Sequence, residues 1–286
     1  MTTRWVCTAC GTQYPDAREP PSTCPICDDD REPPNRNAVP WTTLADLVTT
    51  GRRLRVVEHE PGLTGIGTEP PFAIGQRPIL ARTPAGNVLW DCMAWLDDEV
   101  ERVIRERGGL SAIAISHPHF HTTMVEWADR FDVPIWLHED DRPWVMRPSA
   151  RVRFWAGATF PLLPGVTVVR LGGHFPGSTV LVWEHAADGE GVLLTGDTIM
   201  PVPAAHWATF LYSYPNVLPL PAAEVRRIRD AITPYRYDRL YAGWFDQELI
   251  GGADRAVRES ADRYLAKLAG HVTVAPGVEG RSAGTR

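Results

Sequence analysis

The chain has 286 residues, 44% hydrophobic and 22% charged, with a formal net charge of −6. Its length suits one large domain with an appendage, and its composition allows a sizeable core. The negative balance argues against nucleic acid or an anionic membrane as main partner, and no apolar run approaches the ~20 residues that span a bilayer.

The opening MTTRWVCTAC lacks the apolar stretch of a secretion signal, so the expected compartment is the cytoplasm. Four of the five cysteines follow within 27 residues, as two C-x-x-C pairs: Cys7 with Cys10, and Cys24 with Cys27. In a cytosolic chain such pairs favour metal over disulfide, and two of them complete a tetrahedral sulfur site. Gly11 follows the first pair, where the tight turn needs a residue that tolerates positive φ. The stretch between the pairs has little to bury, so an ion is expected to supply the folding free energy. Trp5, Cys7, Cys10, Gly11, Tyr14, Cys24, Pro25 and Cys27 together resemble the rubredoxin-like domains of the rubrerythrin type. That resemblance implies zinc or iron: zinc makes the module structural, and iron allows electron transfer. Residues 1–36 are therefore expected to form a four-cysteine metal-ribbon module. DDDREPPNRNAVP, residues 28–40, reads as a polar, proline-broken linker ending near Trp41.

A larger domain is expected over residues 41–270. LRVVEHE, PILARTP and NVLWDC are short strand-like runs, with a hairpin signal in TPAGN at Thr83–Asn87. Cys92 follows the last of them and reads as a small buried hydrophobe. Leu96, Val100, Val103 and Ile104 have helical spacing, closed by glycine. A buried strand LSAIAIS comes next, then a helix in TMVEWADRF and a strand in VPIWLHE. VTVVRL, TVLVWEH and GVLLTGD read as further strands, and AAEVRRIRDAI and ADRAVRESADRYLAKLAG as helices. Strands in a run, then strands alternating with helices, predict an α/β layered sandwich rather than a doubly wound sheet. The tail, 271–286, has no burial pattern and reads as mobile.

Three strands end in loops rich in metal-binding side chains. His117, His119 and His121 stand in SHPHFHT, His174 in GGHFPGS, and Asp197 in TGDTIM. A rigid strand presenting ligands at its end is how fixed coordination geometry is built. The order HPHFHT, GHFPGS and TGD resembles the metallo-β-lactamase superfamily over roughly residues 42–270. The resemblance implies a four-layer αβ/βα sandwich with a metal site at one edge of its two sheets. It also implies His117, His119 and His174 as ligands of a first ion, with Asp197 beside them.

The sequence departs from that pattern at the second metal. His121 stands where the family has aspartate, and Thr122 where it has histidine. Gly243 is followed by Trp244 where the last histidine would be. The expectation is one zinc (iron is the alternative) held by three histidines, with water in the open position activated for hydrolysis of a small-molecule ester, thioester, lactone or amide. His121 is a ligand, a general base, or a side chain filling the vacated second site. Asp197 is a base or a fourth ligand. A mononuclear iron redox enzyme served by the four-cysteine module, and a non-catalytic metal-binding module, are the alternatives. Asp91, after NVLW, is expected to hold a loop or a histidine at the site.

Overall fold

The computed structural model describes residues 2–32, 40–202 and 206–271. Two twisted sheets form its middle. The first has seven strands in the order Val152–Trp155, Ile135–His138, Ala112–Ala114, Gly86–Trp90, Ile79–Thr83, Leu63–Glu69, Arg53–Glu60. The second has six: Thr159–Leu163, Val166–Arg170, Thr179–Trp183, Val192–Leu194, Arg239–Tyr241, Glu248–Ile250. In both sheets, strands joined by hairpins are antiparallel, and strands reached by helical crossovers are parallel.

The side-chain alternation of a strand explains the layering. Val168, Leu181, Val192 and Leu194 turn inward and meet Leu63, Ile79, Val88 and Trp90 of the first sheet. Their neighbours Val169, Val180, Val182 and Leu193 turn outward and are covered by helices Ala222–Ile232 and Ala253–Leu268. The outer face of the first sheet is covered likewise by helices Asp98–Glu106 and Met124–Phe131, through Val100, Ile104, Met124 and Trp127. The order is helices, sheet, sheet, helices. Both faces of the central strands are buried, which is why VTVVRL and TVLVW read as unbroken apolar runs. Helix Asp98–Glu106 starts at an Asp97 cap, whose side chain accepts from Val100 N.

The first strands make a separate small sheet. Thr3–Cys7 pairs with Gln13–Ala17 on one side and with Trp41–Thr43 on the other. The linker expected over residues 28–40 is not free where the structure describes it: residues 30–32 are hydrogen-bonded to the large domain. Residues 33–39 of the linker, which include the end of the expected 1–36 module, and the tail beyond His271 lie outside the described residues.

Leu181 is fully buried between the two sheets. Leu181→Ala is expected to lower folding stability by roughly 2–5 kcal/mol, seen in urea unfolding as a lower midpoint at unchanged slope. An unshifted midpoint would contradict this packing.

Candidate metal centre

The strand Ala112–Ala114 runs parallel to Gly86–Trp90 and delivers Ser116 and His117 to the sheet edge. Asp91 holds this exit. Its Oδ1 accepts from Ser116 N at 2.7 Å, and its own N–H donates to Ala114 O. Burial pushes the Asp91 carboxyl up to about 8. A short turn, Pro118–Phe120, follows, and His117 and His119 both reach one point. His174 arrives from the loop after Val166–Arg170, and Asp197 from the loop after Val192–Leu194. Gly196 has φ +51°, and a Cβ there would sit 2.4 Å from Ser116 Oγ, so two motif loops approach to backbone distance only because this residue is glycine.

The four side chains converge. His119 Nδ1 lies 3.3 Å from His174 Nε2. Asp197 Oδ2 lies 3.4 Å from His117 Nε2, 3.6 Å from His174 Nε2 and 3.9 Å from His119 Nδ1. A tetrahedral ion with bonds of about 2.0–2.1 Å has ligand–ligand edges of about 3.4 Å. All four side chains are buried, and His117 Nε2 and Asp197 Oδ1 have no hydrogen-bond partner. Burial lowers the affinity of His117 and His174 for protons, so both are neutral and offer lone pairs. Facing lone pairs in a dry pocket repel unless a cation lies between them. The donor set therefore fits a divalent ion.

The outer nitrogens are held as metal-binding imidazoles require. His174 Nδ1 donates to Tyr212 O at 2.8 Å, and His117 Nδ1 lies 2.9 Å from Ser116 Oγ. Glu32 Oε1 lies 3.2 Å from His119 Nε2. Arg31 Nε donates to His174 O, and its guanidinium lies 4.0 Å from the centre of the Phe175 ring. The reading of the sequence missed Arg31 and Glu32. They follow the second cysteine pair in a run that shows only as polar.

His121 does not join the four. Its Nδ1 donates to Trp144 O at 3.2 Å, its Nε2 is buried without a partner, and burial pushes its pKa down to about 3. Tyr212 and Tyr214 are used for support: Tyr214 Oη donates to Asp197 O at 2.7 Å and Tyr212 Oη to Asp30. His138 caps a short turn, accepting from Asp140 N. At the positions expected to have lost second-metal ligands, Trp244 packs edge-on against Phe120 and donates to Ile74 O, and Thr122 O accepts from Gln13 N.

The cysteines form the second cluster. Cys7 and Cys27 Sγ lie 3.7 Å apart, and Cys10 and Cys24 Sγ 3.6 Å apart. These gaps are far beyond a disulfide bond of about 2.05 Å, but match the ~3.8 Å edge of a tetrahedron with ~2.3 Å metal–sulfur bonds. All four thiols are buried, and Tyr14 Oη donates to Cys24 Sγ at 3.1 Å.

YmaE, an uncharacterized protein of Bacillus subtilis (strain 168), is 44% identical over 265 residues, which are 92% of this chain and 96% of that protein. The chain belongs to the family of YmaE. No protein-family model matches it. Among solved structures it is similar to metallo-β-lactamases. One is a B3 enzyme with an active-site glutamic acid, with a TM-score of 0.53 and 16% identity, covering 79% of this chain and 94% of that one. Another is DIM-1, with a TM-score of 0.55 and 12% identity over 74% and 97%. A third is FIM-1 from Pseudomonas aeruginosa in its mono-zinc form, with a TM-score of 0.54 and 12% identity over 73% and 95%. At these identities the likeness establishes the metallo-β-lactamase fold. The four-layer sandwich expected for this YmaE relative is borne out.

In this YmaE-family chain, His117→Ala is expected to remove one ion per chain from the metallo-β-lactamase-fold domain while the ion of the cysteine cluster stays. Element analysis of the purified protein checks this; unchanged ion content would break the site assignment.

Proposed function

We propose that the chain is a metal-dependent hydrolase with one zinc ion at His117, His119, His174 and Asp197. The observation that carries this reading is the set of ligand spacings, 3.3–3.9 Å, at the sheet edge of a metallo-β-lactamase fold. A donor set of three imidazoles and one carboxylate suits zinc, and the mono-zinc FIM-1 has the same fold. When bound, zinc supplies Lewis acidity and brings the pKa of water near 7. The chain's own residues do the rest. His117, His119 and His174 hold their ligand nitrogens in place, and burial disfavours protons on His117 and His174. Asp197 turns Oδ2 to the cluster and keeps Oδ1 without a partner, so Oδ1 is the acceptor for a proton released at the site. His121, neutral and tied to Trp144, is the other candidate base or a positioning residue. The substrate class is a small molecule with an ester, thioester, lactone or amide-type bond. The four-cysteine module holds zinc or iron.

One observation favours a second reading. Asp197 completes a tetrahedron of buried ligands, which is the closed arrangement of a structural ion, so a non-catalytic metal-binding protein is the alternative.

A panel of ester, thioester, lactone and lactam substrates separates the two. The hydrolase reading expects turnover with at least one class, lost on chelation and in His117→Ala, and restored to the chelated wild-type protein by zinc. A fully loaded protein that turns over none of them supports the structural ion instead.

A further inference from the structure

We propose that Glu32, supplied by the four-cysteine module, is the carboxylate that orients His119, so that loading of the thiolate cluster tightens metal binding at the histidine cluster. This rests on the reading of His117, His119, His174 and Asp197 as a metal site.

His119 points Nδ1 into the cluster, 3.3 Å from His174 Nε2, and so points Nε2 out of it. An imidazole that gives its Nδ1 lone pair to an ion keeps its proton on Nε2. That N–H is buried and lacks an aligned hydrogen-bond partner, and Glu32 Oε1 is 3.2 Å away. A small turn of the ring or of the carboxylate closes the bond. The other two ligand histidines have their outer nitrogens served from the large domain, by Ser116 and Tyr212. Only the partner of His119 comes from the cysteine module.

Glu32 is held at both ends. On the module side it stands five positions after Cys27, through turns in which Asp28 N donates to Cys24 O and Glu32 N to Asp29 O. On the large-domain side, Ser213 Oγ donates to Arg31 O, and Asn216 Nδ2 donates to Glu32 O at 3.3 Å. Arg31 lies over Phe175 and Tyr212 and donates to His174 O. A second bridge runs parallel to this one: Gln76 Nε2 donates both to Cys10 O at 2.8 Å and to His119 O at 3.0 Å. Four thiolates without an ion repel, and the knuckle that carries Asp28 to Glu32 loses its anchor. His119 then loses its outer partner, which costs about 10–100-fold in metal affinity.

The test uses the full-length protein, with zinc competition against a chromogenic chelator and with cobalt titration. Cobalt separates the sites, because thiolate charge-transfer bands report the cysteine cluster and ligand-field bands without them report the histidine cluster. Glu32→Gln is expected to weaken zinc at the histidine site about 10–100-fold, leave the affinity of the cysteine cluster unchanged, and leave the melting of the apo-protein unchanged. In wild type, histidine-site bands should rise only after the thiolate bands are complete. Glu32→Gln binding within about twofold of wild type, or sites that fill independently, would overturn the proposal while His117→Ala still loses its ion. If His117→Ala and wild type bind the same number of ions, the metal reading itself fails instead.

Discussion

The molecule turns on four buried ligand atoms brought close enough to repel. His117 Nε2, His119 Nδ1, His174 Nε2 and Asp197 Oδ2 come from three loops far apart in the chain and face one another, with His117 Nε2 left without any hydrogen-bond partner. Burying such groups unpaired costs several kcal/mol or more, so the arrangement makes physical sense around a cation. The two sheets are what hold it. Each loop leaves a strand fixed on both faces by packed aliphatic side chains; Asp91 ties Ser116 in place, and Gly196 leaves room for the Ser116 side chain. The core is therefore the frame that keeps the ligands at coordination distance.

The N-terminal module is part of that frame rather than a bead on a string. Gln13 donates to Thr122 O, Gln76 joins Cys10 to His119, and Arg31 reaches His174. Trp144, whose carbonyl accepts from His121, packs against the cysteine cluster. Every motif histidine is thus within one or two side chains of the module. A domain that contributed only its own stability would not need contacts of this kind.

How far these features could be read from the sequence depends on their range. The ligand loops were legible because each is a local pattern: an apolar strand, then histidine or aspartate at its end. The helices were legible for the same reason, and so were the two cysteine pairs. Short edge strands such as Thr159–Leu163 and Glu248–Ile250 were not, since five or three residues with little fully buried give too short a pattern to read. Glu32 was invisible for a different reason. Its partner lies 87 positions along the chain, and a carboxylate in DDDREPP carries no mark that separates it from solvent-facing neighbours. His121 was ambiguous because spacing places it beside His119 but cannot say where the ring turns. The turn Pro118–Phe120 and the Trp144 carbonyl decide that.

One of the positions expected to have lost a second-metal ligand, Thr122, is also where the module docks. Thr122 has φ +38° and gives its carbonyl to the module; a Cβ on Gly11, with φ +83°, would lie 3.2 Å from Ala94 Cβ and 3.4 Å from the Thr122 methyl. Trp244, at the other lost position, fills its space with an indole packed on Phe120, the residue between His119 and His121. If the site holds one ion, as proposed, neither position is needed for coordination, and the loop is left to packing and to docking the module.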